Sequence, residues 1–289
     1  MWLHLFVSTI QKINNFFGDD SLSILRLDLP DPITGGNKYF KLKYNLQEMK
    51  RQGHQRLLTF GGAFSNHIAA VATLGKKDNF ETIGIIRGDE LTEMSNKVLE
   101  YASNCGMKLI FVSREQYRER NNLDFQNSLL EKYGPFYLLH EGGANELAVK
   151  GCKEILSFET EKYLQVVCPV GTGATLAGII SSAKRDQKII GVAVLQGKEY
   201  LEKEVAKYLA CENSHADWTI EHGFTLGGYG KSSPELRQFI FQLKNQYDLP
   251  LDEIYSGKTL FAISQMKRQG LLGQGNILFV HTGGYSFTH

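Results

Sequence analysis

Charge of one sign is not in excess in this chain: 32 basic residues stand against 31 acidic ones, a formal net charge of +1. Nothing in that balance points to nucleic acid, an anionic membrane or an acidic partner. Cysteine is scarce as well. The four present, Cys105, Cys152, Cys168 and Cys211, are widely spaced and form no CxxC pair. That excludes the usual zinc and dithiol motifs, leaves no metal site expected, and reads as reduced thiols of a cytoplasmic protein. Long apolar runs are missing too. The opening stretch MWLHLFVSTIQKINNFF is broken by polar residues well short of the roughly 20 that a membrane span needs. It also lacks a basic leader and a small-residue cleavage site, so an N-terminal core element is expected there. No linker rich in Pro, Gly or Ser divides the chain, and there is no internal repeat or low-complexity tract. Three common motifs are absent: the Walker loop, the GxGxxG turn with its ribose-binding acid, and the GxSxG elbow.

What is there is enough for a sizeable core: 289 residues, 42% of them hydrophobic. Short runs apolar on both faces recur between helix-like stretches: LLTF at 57–60, IGIIRG at 83–88, KLIFVS at 108–113, FYLLHEGG at 136–143, and later LQVVCPVGTG, KIIGVAVL and NILFVHTGG. Such runs read as parallel strands, and the fold class is α/β. Helices are expected over 41–52, 65–77, 174–186, 233–247 and 256–270, with Ser65, Ser233 and Ser256 as N-caps and Gly270 as the C′ residue. With no linker between the halves, two domains would have to share interleaved chain.

Several strands run into glycine-rich turns that open helices: TFGGAFSN, CPVGTGATLAG and FVHTGG. In parallel sheets, ligands collect at the carboxyl ends of strands, where backbone N–H groups and helix dipoles point outward. In PVGTGATLAG, the residues Gly171, Thr172, Gly173, Ala174 and Thr175 can wrap an anion with backbone and hydroxyl donors, as a phosphate requires. In GGAFSNHIAA, Ser65 is an N-cap before it is a nucleophile. In DPITGGNKYFKLKYN, Lys38 stands on the shoulder of a glycine turn with Lys41 one helical step behind it. A like charge and burial both disfavour protonation of an amine, the condition in which lysine forms an imine with a carbonyl cofactor. A solvated lysine at a helix start is the plain alternative.

Taken in order, GGNKYFKLKYN, GGAFSNH, PVGTGAT, GGYG, IYSGKT and HTGG resemble the family of 1-aminocyclopropane-1-carboxylate deaminases and D-cysteine desulfhydrases. These are pyridoxal-phosphate enzymes of the two-domain tryptophan synthase β-like architecture (fold type II), with parallel-rich sheets flanked by helices. The resemblance runs from about Arg26 to His281. It implies a larger cofactor-binding domain from residues 1–46 and 146–289 and a smaller α/β domain from 47–145. It implies further a small amino-acid substrate, no nucleic acid, no membrane, and a homodimer.

Residue by residue, the resemblance puts the imine-forming lysine on Lys38 and the basic residue that helps hold the cofactor phosphate on Lys41. Asn66 falls beside the cofactor's 3-oxygen and Ser65 toward the substrate. The phosphate loop falls on Gly171 to Thr175, the substrate-facing tyrosines on Tyr229 and Tyr255, and the pyridine-nitrogen partner on Ser256. The deaminases resemble one another in carrying glutamate at this last position and leucine where this chain has Thr282. Glutamate keeps the ring nitrogen protonated and the ring a strong electron sink; serine offers a neutral hydrogen bond, sufficient for β-elimination of a good leaving group such as thiolate. Both positions therefore favour the desulfhydrase type, with the deaminase and a catalytically silent ligand-binding member as alternatives. The family's KRxD segment corresponds to LRLDLPDP at 25–32, and His67 stands where the deaminases tend to have glutamine.

Overall fold

The computed structural model describes residues 9–18, 20–210, 216–228, 230–273 and 275–284. The chain divides into two compact units, one from residues up to Lys41 together with those from Glu146 onward, the other from Leu42–Asn145. Strands β1 (Thr9–Phe17) and β2 (Asp20–Arg26) come first, followed by helix α1 (Asn37–Arg51).

The middle unit continues with β3 (Arg56–Gly61), α2 (Asn66–Asp78), β4 (Glu81–Arg87), α3 (Lys97–Asn104), β5 (Lys108–Val112), α4 (Arg114–Arg118), α5 (Leu123–Tyr133) and β6 (Tyr137–Leu139). Its four strands form an all-parallel sheet in the order β5-β4-β3-β6. Leu57, Ile86, Leu109 and Leu139 pack with Leu42, Leu46 and Met49 of α1, Ile68 and Val71 of α2 and Leu99 of α3. Leu58, Phe60, Ile83 and Ile85 pack with Tyr117 and Leu129 in a second cluster. Strands coated on both sides have no polar face to show, which is why these runs are apolar throughout.

The other unit adds α6 (Glu146–Cys152), β7 (Gln165–Val170), α7 (Ala174–Ser182), β8 (Lys188–Ala193), α8 (Lys198–Leu209), β9 (Asp217–Glu221), α9 (Pro234–Tyr247), α10 (Ser256–Arg268) and β10 (Ile277–His281). The sheet order is β1-β2-β10-β7-β8-β9, with only the β1–β2 pair antiparallel. Leu22, Ile24, Val167, Ile190 and Phe279 pack against Leu236 and Ile240 of α9 and Leu260 and Ile263 of α10. From β7 the chain winds outward through β8 to β9, while β10 lies on the other side of β7. The β7/β10 boundary is therefore a topological switch point, the place at which open α/β sheets in general bind their ligands.

The core element expected at the N-terminus falls partly outside the described residues; its described part is strand β1, where Ile13 is buried in the core with Phe16 and Phe17 packed against it and the register slips between Ile13 and Phe17. Two sequence expectations are revised. Helix α1 begins at Asn37, so Lys38 lies within its first turn instead of ahead of it. Ser256 is the first residue of α10 and not its cap; its hydroxyl serves another group. Ser65 and Ser233 do cap α2 and α9, accepting the Ile68 and Leu236 N–H groups.

Candidate active site

The turn that carries Lys38 is fixed from two sides. Asp31 Oδ1 accepts the Ile33 and Thr34 N–H groups at 2.9 and 2.7 Å, and the Asp31 carbonyl accepts Gly35 N–H at 2.9 Å. Beyond the turn, Gly36 N–H donates to Leu27 O at 2.7 Å and Asn37 N–H to Thr282 O at 3.2 Å. Gly36 has φ +65°, and a Cβ there would lie 2.0 Å from the Thr282 carbonyl oxygen. The glycine is thus required both by its backbone conformation and by the close approach of the chain leaving β10.

That chain is anchored in turn. Arg26 Nε and Nη2 donate to the two carboxylate oxygens of Asp28 at 2.8 and 2.6 Å, a wholly buried bidentate pair. His281 Nε2 faces the Pro250 carbonyl at 2.7 Å, and its Nδ1 accepts Gly283 N–H at 3.2 Å while standing 3.3 Å from Asp28. The LRLD and HTGG segments, distant in sequence, together hold the ends of β2 and β10 beneath the lysine turn.

From this turn Lys38 Nζ donates to Asn37 Oδ1 at 2.8 Å, and Asn37 Nδ2 donates to Thr175 Oγ1 at 3.0 Å. Lys41 Nζ donates to Thr172 Oγ1 at 3.2 Å. Lys41 therefore reaches a threonine of the turn after β7 directly, and Lys38 reaches Thr175 in the first turn of α7 through Asn37. Burial first, and the Lys41 charge second, push Lys38 down to about 7 against the opposing pull of Cys152 and Asp252. Burial likewise pushes Lys41 down to about 8. Burial raises the Cys152 thiol to about 11, with the two lysines and the Thr175 hydroxyl acting against it. A half-neutral amine at neutral pH is a nucleophile; a solvated lysine is not.

Tyr255 lies over the same loop: a Cβ on Gly171 would approach its Cε1 to 3.3 Å, so glycine leaves the ring seated against the backbone. Next to it, Ser256 and Asp252 are fully buried. Asp252 Oδ1 accepts the Ile254 and Tyr255 N–H groups at 2.8 and 2.6 Å; Oδ2 accepts Ser256 N–H at 2.9 Å and the Ser256 hydroxyl at 2.5 Å. Ser256 Oγ also accepts Asp252 N–H at 2.9 Å. The carboxylate and serine saturate the leading end of α10, the positive end of its dipole.

Lys38, Lys41, Gly171, Thr172, Gly173, Ala174, Thr175, Tyr255 and Ser256 all belong to this one unit. Ser65 and Asn66 belong to the middle unit, where Ser65 Oγ accepts Ile68 N–H at 3.3 Å, Asn66 begins α2, and neighbouring His67 Nε2 meets Thr59 Oγ1 at 2.8 Å. Tyr229 lies outside the described residues. Sequence reasoning passed over Asn37, Arg26, Asp28, His281, Cys152 and Asp252. Asn37, Arg26, Asp28 and His281 lie in the GGNK, LRLD and HTGG segments that carry the resemblance but were given no role, and Asp252 carried the signal of an acid just ahead of a helix start.

The residues present suit pyridoxal phosphate. An amine held near neutrality answers its aldehyde. A lysine, two threonine hydroxyls and the N-terminus of the nine-residue helix α7 form a donor set for a phosphate. Among the described residues no group of three His, Cys, Asp or Glu side chains could hold a metal ion, and no helix is long and apolar enough to cross a membrane.

Comparison with known proteins agrees with this arrangement. The family model described as "Pyridoxal-phosphate dependent enzyme" matches residues 8–283. The chain is 28% identical to the bifunctional D-cysteine desulfhydrase/1-aminocyclopropane-1-carboxylate deaminase of Arabidopsis thaliana, over 91% of this chain and 72% of the plant protein. It is 27% identical to the D-cysteine desulfhydrase of Serratia proteamaculans, over 95% and 89% of the two chains. A crystal structure described as that of an ACC deaminase homologue superposes with a TM-score of 0.83 at 26% identity, covering 97% of this chain and 90% of its own.

Proposed function

This chain belongs to the family of pyridoxal-phosphate-dependent enzymes, and on that premise we propose that it is a lyase that converts D-cysteine and water to pyruvate, ammonia and hydrogen sulfide. One observation carries the reading: an amine poised near neutrality is linked through Asn37 to Thr175 of an anion-binding loop, whose Thr172 receives the neighbouring cation.

In this reading Lys38 holds the cofactor's aldehyde end, and Lys41, Thr172, Thr175 and the Gly171–Thr175 backbone hold its phosphate. When bound, pyridoxal phosphate supplies an electron sink for the charge left at the substrate's α-carbon. The Lys38 amine would take the α-proton, a task suited to a base titrating near 7. Tyr255, steadied against Gly171, orients the substrate and passes a proton to the departing sulfur. The resemblance assigns Tyr229 and Ser65 to the substrate and Asn66 to the cofactor's 3-oxygen, and those assignments are kept in this reading.

The choice of D-cysteine over the cyclopropane amino acid rests on Ser256. Its hydroxyl proton is committed to Asp252 at 2.5 Å, so it offers the ring nitrogen neither the charge of a carboxylate nor the proton expected of it from the sequence, and a glutamate in its place would set a second carboxylate against a buried first one. The setting proposed with this activity is a cytoplasmic homodimer, which sedimentation of the purified protein tests.

The functional experiment is a keto-acid assay with D-cysteine, L-cysteine, D-serine and 1-aminocyclopropane-1-carboxylate, run on the native protein and on Lys38→Ala. Pyruvate from D-cysteine with the native protein alone is the expected result. Oxobutanoate from the cyclopropane substrate would move the assignment to the deaminase, and no keto acid from any of the four would leave a silent ligand-binding protein.

A further inference from the structure

Lys258 is fully buried in the first turn of α10, where burial and the positive end of the helix dipole both oppose its charge. Burial lowers its pKa, and nearby Asp252 acts in the opposite sense. Its Nζ donates to the Thr225 carbonyl at 2.7 Å and to the Gly228 carbonyl at 2.8 Å. Those carbonyls close a turn of unusual backbone: Leu226, Gly227 and Gly228 have φ of 50°, 90° and 106°. Gly228 N–H donates to Thr225 O at 3.0 Å and Lys231 N–H to Gly228 O at 3.2 Å. A leucine in the left-handed region is strained and persists only where its surroundings impose it. Here the imposing group is a cation bridging both ends of the turn.

We propose that Lys258 is a positioning residue: its ammonium locks the 225–228 turn in its left-handed form and so governs substrate affinity through Tyr229, the next residue in the chain. The consequence for affinity rests on the lyase reading above; the clamp itself does not. A hydrogen bond to a charged group is worth roughly one to two powers of ten in an equilibrium. Loss of both bonds therefore opens the turn locally without dissolving α10, whose leading end is held separately by Asp252.

The test is hydrogen exchange with mass-spectrometric readout on the cofactor-loaded protein, comparing native chain with Lys258→Met. The peptide spanning 223–232, which holds the Gly228 and Lys231 amides, is expected to exchange about tenfold faster or more while peptides of the middle unit are unchanged. KM for D-cysteine is expected to rise about tenfold with kcat within about threefold. Unchanged exchange in that peptide overturns the clamp; faster exchange with an unchanged KM overturns its link to substrate. If Lys258→Met does not fold, Lys258→Ala prepared with propylammonium, which replaces the deleted atoms, decides the matter. Recovery with propylammonium but not with propanol supports the clamp, and equal behaviour in the two overturns it. Exchange is read without turnover, so an inactive native protein would sink the lyase assignment and leave the clamp standing.

Discussion

The state of the Lys38 amine can be tested without any catalysis. With its pKa near 7 instead of the ordinary 10.5, about half of it is neutral at pH 7, roughly a thousandfold more than for a solvated lysine. Only the neutral amine reacts with an acylating reagent. In cofactor-free protein, competitive labelling followed by mass spectrometry across pH 5 to 10 should therefore give Lys38 a midpoint near 7, with reactivity rising as pH rises through it. The informative perturbation is Lys41→Met, which removes the second-largest cause and leaves the largest, burial. Removing a like charge one helical turn away is expected to raise the Lys38 pKa by about one unit, taking the neutral fraction at pH 7 from about a half to about a tenth. The same substitution deletes the cation on Thr172, so cofactor retention should weaken in parallel. A Lys38 midpoint near 10 in the native protein, or one indifferent to Lys41→Met, would refute the argument that burial and like charge prepare this amine.

Gly36→Ala should cost about 2–4 kcal/mol in denaturant unfolding and abolish cofactor absorbance, since its methyl meets the Thr282 carbonyl at 2.0 Å; a neutral effect would mean the turn is free to move. Asp28→Asn leaves Arg26 buried without its anion and should cost about 3–5 kcal/mol, measured in the same way. Ser256→Glu should destabilise by about 2–4 kcal/mol without conferring activity on the cyclopropane amino acid, and Asp252→Asn in the same chain should recover part of the loss. Between about pH 7 and 10.5 the unfolded chain keeps protons on Lys38 and Lys41 that the folded chain has released. Cofactor-free protein should therefore gain stability as pH rises from about 7 to about 9, and the gain should end there because the buried Cys152 and Cys168 thiols, raised in the folded chain, keep protons that the unfolded chain loses above about 9; thermal unfolding at fixed salt would reveal it.

Sequence alone determined the fold class, because a strand covered on both faces must be largely apolar, and seven of the ten strands among the described residues coincide with the apolar runs. It also brought forward Lys38, Lys41 and Gly171–Thr175 as candidates, from a glycine turn ahead of a lysine and small residues between a strand and a helix. The misses share one cause. Edge strand β1 buries only Ile13, and so offers no periodicity to read. Arg26, Asp28, His281 and Lys258 look like ordinary polar residues until the chain brings their partners from the far ends of other elements. What lowers the Lys38 pKa is likewise not local: its burial, and its bond through Asn37 to a threonine 138 residues from that asparagine, exist only once β2, β7 and β10 lie side by side. Periodicity and turn chemistry are written within a few residues of themselves, whereas desolvation and charge pairing are properties of a place in space, and only the tertiary structure makes the place.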